Sequence, residues 1–225
     1  MNKNVYALVF IYTTIVLAVR LNLGLTLDSA SNINIRRLMP RKPKYRLDLV
    51  FEYAIPVALK HGYRGCSMQD LLTKTGFNRR AFYLEFGNKQ GFYEALTKHY
   101  ITQYLQPLET HLQQSEHAHS DISNYFLAYE KLIVNKGCLL INLLLEMGKQ
   151  SKAIQHAGRQ HYDRLQQLFI SVLERAKEHG QLATSVDIER EALQLSFLTQ
   201  GFAVSTALEQ GKEDIKTVVD ALFST

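Results

Sequence analysis

SMQDLLTKTGFNRRAFYLEFGNK, the stretch at residues 67–89, contains two short helical patterns joined by a glycine. Ser67 is a typical N-cap residue, and Asp70 follows in the first turn, where a negative charge favours a helix. Gly76 provides the conformational freedom that a tight turn requires. Asn78 is a second typical N-cap residue. The pattern therefore predicts a helix, a tight turn and another helix.

The second predicted helix has an aromatic face and a cationic face. Phe82 and Phe86 share one helical face, which we expect to be domain core. Arg79, Arg80 and Tyr83 are expected to point outward. A helix-turn-helix with cations at the start of its second helix is the arrangement that places this helix in the DNA major groove.

These residues resemble the DNA-binding domain of the TetR family of bacterial transcriptional regulators. The resemblance covers about residues 45–100 and rests on Gly62-Tyr63, Ser67-Met68-x-Asp70-Leu71, Gly76-Phe77, Tyr83-x-x-Phe86 and Lys89. It implies an all-α fold, in which a three-helix DNA-binding domain precedes a helical domain for effector binding and dimerisation. The domains expected on this basis are a non-family extension at 1–38, the DNA-binding domain at 39–105 and the effector-binding and dimerisation domain at 106–225.

The resemblance also implies which residues of the helix-turn-helix contact DNA. They are Ser67, Gln69, Asn78, Arg79, Arg80, Tyr83 and Lys89. Ser67 and Lys89 are expected to contact phosphates. The two arginines, Gln69 and Tyr83 are expected to reach base edges, where an arginine can donate two hydrogen bonds to one guanine.

A basic arm precedes the first predicted helix. Residues 36–46 contain six Lys and Arg residues and no acid, and Pro40 and Pro43 favour an extended backbone. Such an arm can lie along phosphates or reach the minor groove, although a solvated linker is an equally good interpretation of any one side chain. The arm residues assigned to DNA are Arg41, Lys42 and Lys44.

The charge distribution agrees with a DNA-binding module joined to a domain that need not touch DNA. Residues 36–100 contain 13 Lys and Arg against 5 Asp and Glu, whereas residues 101–225 contain 11 against 15. The basic block coincides with the helix-turn-helix, which favours DNA as the partner over random surface charge.

No catalytic or cofactor-binding pattern accompanies the helix-turn-helix. Cys66 and Cys138 form neither a disulfide framework nor a zinc spacing, and the pair His156 and His161 is interpreted as surface residues. The sequence also lacks a Ser/His/Asp motif, a Gly-rich phosphate loop and a nucleophile elbow. We therefore expect no catalytic residue, no metal, no cofactor and no enzymatic function.

Residues 1–38 do not fit the family pattern. Residues 5–19, VYALVFIYTTIVLAV, carry no charge. They are shorter than the about 20 apolar residues of a membrane-spanning helix but have the length of a signal-peptide core. Met39 opens MPRKPKYR, which resembles the start of TetR-family chains. We expect translation to start at Met39 and the protein to be cytoplasmic; a membrane anchor is the second interpretation and a signal peptide the third.

Apolar periodicity predicts the remaining helices. We expect the first helix at 47–61 with Pro56 inside it. A fourth helix, capped by Asn88, is expected to bend or end near residue 106, and a loop is expected at 113–120. The helices expected after this loop are at 121–136, 138–147 and 151–179, followed by one that opens at Asp187 and a last apolar stripe that ends at Leu222.

The helical domain is expected to bind an unidentified small-molecule effector. The assigned pocket walls are Tyr125, Phe126, Tyr129, Cys138, Phe169 and Phe202, each of which is also an ordinary core residue type. Cys138 is further considered as a redox or electrophile sensor, against the rule that a buried thiol is inert.

The last two helices are expected to form a homodimer by burying paired apolar stripes. The predicted seam consists of Leu195, Leu198, Phe202, Val218, Val219 and Leu222. A dimer of this kind reads a palindromic operator in double-stranded DNA.

The sequence thus predicts a DNA-binding transcriptional regulator, with ligand-responsive repression as the expected mode. One alternative is a membrane-tethered regulator that uses the apolar N-terminal segment. Another is a helical small-molecule-binding protein without DNA function, against which the pair Arg79 and Arg80 argues, because such a protein has no need of cations there.

Overall fold

The structure, a computed structural model, describes residues 45–113 and 117–207 together with residues 217, 220 and 221. All secondary structure in these residues is helical, which confirms the all-α prediction. None of the helices in the described part is both long and apolar enough to cross a membrane. The predictions for the extension at 1–38, for residues 39–44 of the basic arm and for Val218, Val219 and Leu222 lie outside the described residues.

Four helices form the DNA-binding half of the described chain. They are α1 (Leu47–His61), α2 (Met68–Thr75), α3 (Arg79–Phe86) and α4 (Lys89–Tyr100). The predicted bounds of α1 are confirmed, and the helix continues through Pro56.

Two side-chain caps start the short helices α2 and α3. The hydroxyl of Ser67 accepts a hydrogen bond from the Asp70 backbone N–H at 3.1 Å, and the Asp70 carboxylate accepts one from the Ser67 N–H at 2.9 Å. Asn78 Oδ1 accepts from the backbone N–H groups of Arg80 and Ala81 at 2.9 and 3.2 Å. These bonds satisfy N–H groups that have no partner within the helix. Both predicted caps are confirmed.

The tight turn between α2 and α3 depends on Gly76. Its backbone has φ +64° and ψ 14°, the left-handed conformation that glycine adopts without a steric penalty. A Cβ atom at this position would have open space around it, so the backbone conformation rather than crowding selects glycine.

The path of α4 does not stop at Tyr100. The backbone passes through a π-helical segment, Ile101–Leu105, into the short helix α5 (Gln106–Glu109) and a 3-10 turn, Thr110–Gln113. Pro107 lies at the start of α5, where its missing N–H is tolerated. The bend predicted near residue 106 therefore takes the form of a change in helix type.

Four longer helices follow in the described chain after residue 117. They are α6 (Ala118–Ile133), α7 (Leu139–Met147), α8 (Lys152–Glu178) and α9 (Ile188–Ala207). The helix α6 starts three residues before the predicted position, with the Ala118 N–H bonded to Gln181 Oε1 at 3.1 Å. The Ser151 hydroxyl caps α8, and the Asp187 carboxylate accepts from the Arg190 N–H at 3.2 Å at the start of α9.

The helix α4 joins the two halves because it is buried on more than one side. Phe92, Tyr93 and Leu96 are fully buried, and Tyr100 is 2% exposed. Phe92 faces the aromatic residues of the DNA-binding half, and Tyr93 reaches back to the segment after α1. The fold therefore has a continuous core that runs from the helix-turn-helix into the second half.

The structure corrects two of the three residues predicted for the dimer seam on α9, whereas Leu198 is half-buried. Leu195 is 1% exposed and Phe202 is 7% exposed within the single chain, so both are core residues and are not available to a second copy. The exposed apolar residues of α9 are instead Leu193, Phe197 and Val204. Because α9 is apolar on two faces, its sequence periodicity did not distinguish the inner face from the outer one.

We expect Ser67→Ala to lower the free energy of unfolding by about 1 kcal/mol, because the Asp70 N–H would lose its acceptor. Ser67→Thr keeps a hydroxyl at the cap and serves as the matched control, with a smaller effect. Urea unfolding followed by circular dichroism measures both variants. An equal loss for alanine and threonine would contradict the capping role.

Candidate nucleic-acid interface

The reading helix α3 is anchored through one aromatic side chain. Phe82 is 1% exposed, and its ring lies 5.2 Å from Phe86, 5.1 Å from Phe92 and 6.2 Å from Phe77 between ring centroids. These distances are those of stabilising aromatic pairs. The prediction that Phe82 is domain core is confirmed, and the opposite side of α3 is consequently turned to solvent.

The exposed side of α3 brings together the residues assigned to base edges. The guanidinium of Arg79 donates to Gln69 Oε1 at 3.2 Å across the turn, and Gln69 Nε2 donates to Thr73 at 3.3 Å. Arg80 is exposed, and the described residues offer it no side-chain partner. Tyr83 is 45% exposed one turn further along α3. The four side chains are thus exposed on α2 and α3, and Gln69 and Arg79 are in direct contact.

The two capping residues of this surface already use their side chains. Ser67 and Asn78 hold the first turns of α2 and α3, and both residues remain exposed at the surface. Their assignment to DNA contact stays a prediction. Their observed role is to fix where α2 and α3 begin.

Lys89 occupies a position that the sequence did not indicate. Its Nζ donates to the backbone carbonyl of Tyr63 and lies 4.4 Å from the centroid of the Tyr63 ring. A cation over an aromatic face is a favourable contact. The predicted phosphate contact stays a prediction.

The described chain starts with a residue that packs beside α3. The Tyr45 ring lies 4.3 Å from Phe77 in an edge-to-face arrangement, and its hydroxyl donates to Glu85 Oε2 at 3.3 Å. The carboxylate of Glu85, an unusual residue for a DNA-facing helix, therefore has a partner in the same domain. Arg41, Lys42 and Lys44 lie just before Tyr45 in sequence and outside the described residues.

The residues assigned to an effector pocket form one buried cluster. Tyr125 contacts the Phe169 ring at 5.5 Å and stacks with Tyr129 at 6.1 Å. Phe126 stacks with Phe169 at 6.2 Å, and Tyr129 lies 6.5 Å from Phe202. The most exposed of these rings is Phe202, at 7%. The structure thus brings the five predicted aromatic residues together, and their role in ligand binding stays a prediction.

Cys138 belongs to the same buried cluster, which we call the effector cluster: Tyr125, Phe126, Tyr129, Cys138, Phe169 and Phe202. The thiol of Cys138 is 1% exposed and interacts with the hydroxyls of Tyr129 and Tyr100. Burial raises the pKa of the Cys138 thiol, despite hydrogen bonds that act in the opposite direction. A raised pKa keeps the thiol protonated at neutral pH and makes it a poor nucleophile.

A second buried group of side chains was missed by the sequence analysis. His161, predicted to lie on the surface, is only 5% exposed, which corrects that prediction. Its Nδ1 lies 3.3 Å from Glu109 Oε1, and Arg164 donates to the same oxygen at 2.8 Å. Glu109 is 6% exposed, so the guanidinium of Arg164 rather than water compensates its charge. Glu109 and His161 are on different helices, and their spacing in sequence gives no signal of the contact.

Comparison with known families agrees with the geometry of both halves. The family model described as bacterial regulatory proteins, tetR family, matches residues 52–96, and the model described as tetracyclin repressor-like, C-terminal domain, matches residues 119–222. The first match includes α2, the turn and α3, and the second match includes the effector cluster.

Two curated bacterial proteins are similar in sequence. The HTH-type transcriptional repressor ComR of Escherichia coli K12 is 24% identical over 176 residues, which are 76% of this chain and 84% of ComR. The uncharacterized HTH-type transcriptional regulator YezE of Bacillus subtilis 168 is 26% identical over 148 residues, which are 64% of this chain and 76% of YezE.

Two solved structures share the fold. A cysteine mutant of the TetR family regulator CifR, complexed with 26-bp operator DNA, has a TM-score of 0.69 at 21% identity and covers 81% of this chain and 98% of its own. The reduced form of E. coli NemR has a TM-score of 0.67 at 21% identity, with coverages of 79% and 95%.

A capped helix-turn-helix with an exposed polar reading face, joined to a helical domain, defines a DNA-binding transcriptional regulator. The chain belongs to the TetR family, as the sequence predicted. Regulators of this family act as dimers on double-stranded DNA and bind small-molecule effectors.

We expect both thiols of the native protein to react slowly with Ellman's reagent at pH 7, because Cys66 and Cys138 are each 1% exposed and burial raises the pKa of each thiol. The reaction rate should increase as the pH rises and the thiolate fraction grows. Unfolding in urea should release both thiols rapidly, and Cys66→Ser and Cys138→Ser variants assign each of them. A fast stoichiometric reaction of native Cys138 would contradict the inert environment described above.

Proposed function

We propose that the protein is a ligand-responsive repressor, which binds a palindromic operator as a homodimer and releases it when an effector binds. The observation that carries this proposal is the exposed face formed by Gln69, Arg79, Arg80 and Tyr83 on two capped helices. The name of the relative ComR, a transcriptional repressor, supports the sign of regulation. The operator complex of the CifR mutant supports operator DNA as the partner.

The proposed roles of the reading face follow from hydrogen-bonding chemistry. Arginine can donate two hydrogen bonds to guanine O6 and N7, and glutamine can pair with adenine in the same way. The contact between Arg79 and Gln69 orients both side chains before DNA binds. Arg80 has no such contact in the described residues and is free to adjust to a base or a phosphate.

Phosphate contacts would supply most of the affinity. We assign these contacts to Lys89, to Ser67 and, outside the described residues, to the arm residues Arg41, Lys42 and Lys44. The side chain of Asn78 is engaged as a helix cap, so Asn78 would act on DNA mainly by fixing the start of α3.

The outer face of α9 supports the proposed homodimer. Phe197 is 62% exposed and Val204 is 47% exposed, and they lie on a helix whose opposite face is buried in the core. Exposed aromatic and branched residues in one stripe are typical of a surface that pairs with a second copy. We therefore place the dimer contact on Leu193, Phe197 and Val204.

The effector cluster supports the proposed ligand response. Its aromatic rings favour a largely apolar effector, and the hydroxyls of Tyr125 and Tyr129 offer hydrogen bonds inside the cluster. An effector that binds better to a conformation with a different spacing of the two reading helices weakens operator binding by linkage. A cytoplasmic location, where such a repressor meets the chromosome, is part of the proposal.

Selection of bound DNA from a random pool tests the proposed DNA function. Arg79→Ala and Arg80→Ala should each relax the preference at one or two operator positions and cost about 1–3 kcal/mol on the selected operator. Lys89→Ala should weaken binding to all DNA and reduce the salt dependence by about one counterion. Arg159→Ala, an exposed arginine on α8, is the control and should leave operator binding unchanged. Equal losses on operator and random DNA for Arg79→Ala and Arg80→Ala would contradict the reading-face assignment.

Phe197→Glu should convert the dimer into a folded monomer, because it places a charge in the apolar stripe that the two copies would bury. Leu127→Glu, which introduces the same charge at a 39% exposed leucine of α6, is the matched control and should remain dimeric. Sedimentation measures the oligomeric state, circular dichroism checks folding, and titration on the selected operator should show weaker binding of Phe197→Glu alone. A dimeric Phe197→Glu variant would place the interface elsewhere.

A further inference from the structure

The carboxylate of Glu146 connects the second half of the chain to the DNA-binding half. Glu146 lies in the last turn of α7, and its Oε2 accepts hydrogen bonds from the backbone N–H groups of Tyr63 and Arg64, both at 3.0 Å. These two residues belong to the segment between α1 and α2, residues 62–66, which we call the α1–α2 loop. One carboxylate oxygen thus holds two consecutive amides of the DNA-binding half.

The α1–α2 loop is shaped to receive this carboxylate. Gly62 has φ +66° and ψ −169°, a backbone conformation that is essentially restricted to glycine. A Cβ atom on Gly62 would lie 2.0 Å from Glu146 Oε1, so a side chain would also displace the carboxylate. Both the conformation and the space at Gly62 fit the approach of Glu146.

Two carbonyls of the α1–α2 loop accept hydrogen bonds from a different helix. The Tyr93 hydroxyl donates to the Gly62 carbonyl at 3.0 Å, and Lys89 donates to the Tyr63 carbonyl. Both donors belong to α4. Two carbonyls of the loop are therefore held by α4 and two of its amides by α7, shortly before the Ser67 cap of α2.

The helix dipole of α7 disfavours a glutamate in its last turn. A negative charge in the last turn of a helix faces the negative end of the helix dipole. The compensation comes from the two amides of the α1–α2 loop, because hydrogen bonds to a charged acceptor are stronger than neutral ones. The position of Glu146 is thus explained by its contact with the DNA-binding half.

The opposite end of α7 lies in the effector cluster. Cys138 is the residue that precedes α7, and it interacts with the Tyr129 hydroxyl. Leu139, Leu140, Leu143 and Met147 are all buried, so α7 is packed along its length between these two ends.

We propose that Glu146 is a positioning residue for the helix-turn-helix. Glu146 links α7 to the α1–α2 loop and transmits displacement from the effector cluster to α2. The last step, an effect on operator binding, rests on the proposed function. The link itself is a property of the DNA-free protein and is tested there.

Amide hydrogen exchange tests the link. Glu146→Ala should increase exchange at the Tyr63 and Arg64 amides at least about tenfold, since opening no longer breaks charge-assisted hydrogen bonds. Glu146→Gln keeps an oxygen acceptor without the charge and should give a smaller increase. Glu174→Ala, at an exposed glutamate of α8, is the control and should leave both amides unchanged. Unchanged exchange at these amides in both Glu146 variants overturns the proposal.

A double-mutant cycle tests transmission. Tyr129→Phe removes the hydroxyl beside Cys138 and should change exchange at the Tyr63 and Arg64 amides in the wild-type background but not in Glu146→Ala. The same change in both backgrounds overturns the transmission through Glu146.

On the selected operator, Glu146→Ala should bind about tenfold more weakly than Glu174→Ala, and equal affinity overturns the positioning role. If the wild-type protein selects no DNA sequence, the proposed function fails, while the exchange cycle still decides the link.

Discussion

The burial of Phe82 is the constraint on which the reading face depends. An isolated helix of eight residues is not stable in water, so α3 exists because its inner side packs against the domain. Phe82 provides that contact, and Phe86 and Phe92 extend it to Phe51 of α1, at 5.9 and 5.8 Å. With Phe82 fixed inside, the geometry of a helix leaves Arg79, Arg80 and Tyr83 on the outer side. The recognition surface is therefore a consequence of core packing.

The contact between the DNA-binding half and the helices α7 and α8 includes polar side chains, unlike this aromatic core. Besides the Glu146 contact, the Ser151 hydroxyl donates to Glu94 of α4 at 2.6 Å. Polar contacts depend steeply on distance and angle, whereas apolar packing is non-directional. A small displacement of α7 or of the start of α8 therefore weakens these polar contacts before it affects the packing of the aromatic core. This difference agrees with the proposed function, in which the reading helices stay intact while their placement changes.

The sequence predicted the features that follow from neighbouring residues. The caps Ser67 and Asn78 and the turn glycine obey local rules, and so their positions were correct. The partners of Glu146 lie 83 and 82 residues away, and no local rule connects a glutamate to two distant amides. The rotation of α9 was also not predictable, because apolar residues occur on both of its faces. Leu195 faces inward and Phe197 outward only because of how α9 packs on the preceding helices.

The packing of the effector cluster limits how a ligand can act. Its members are between 0% and 7% exposed, and protein interiors are packed closely enough that a guest molecule must displace side chains. Cys138 directly precedes α7, so the proposed displacement of Tyr129 or Cys138 would act on the start of that helix. Its other end carries Glu146, whose bonds to the α1–α2 loop tolerate little movement. Under the proposed function, an effector would need no contact with the DNA-binding half, because filling the cluster would act through α7 on the two hydrogen bonds between Glu146 and the α1–α2 loop.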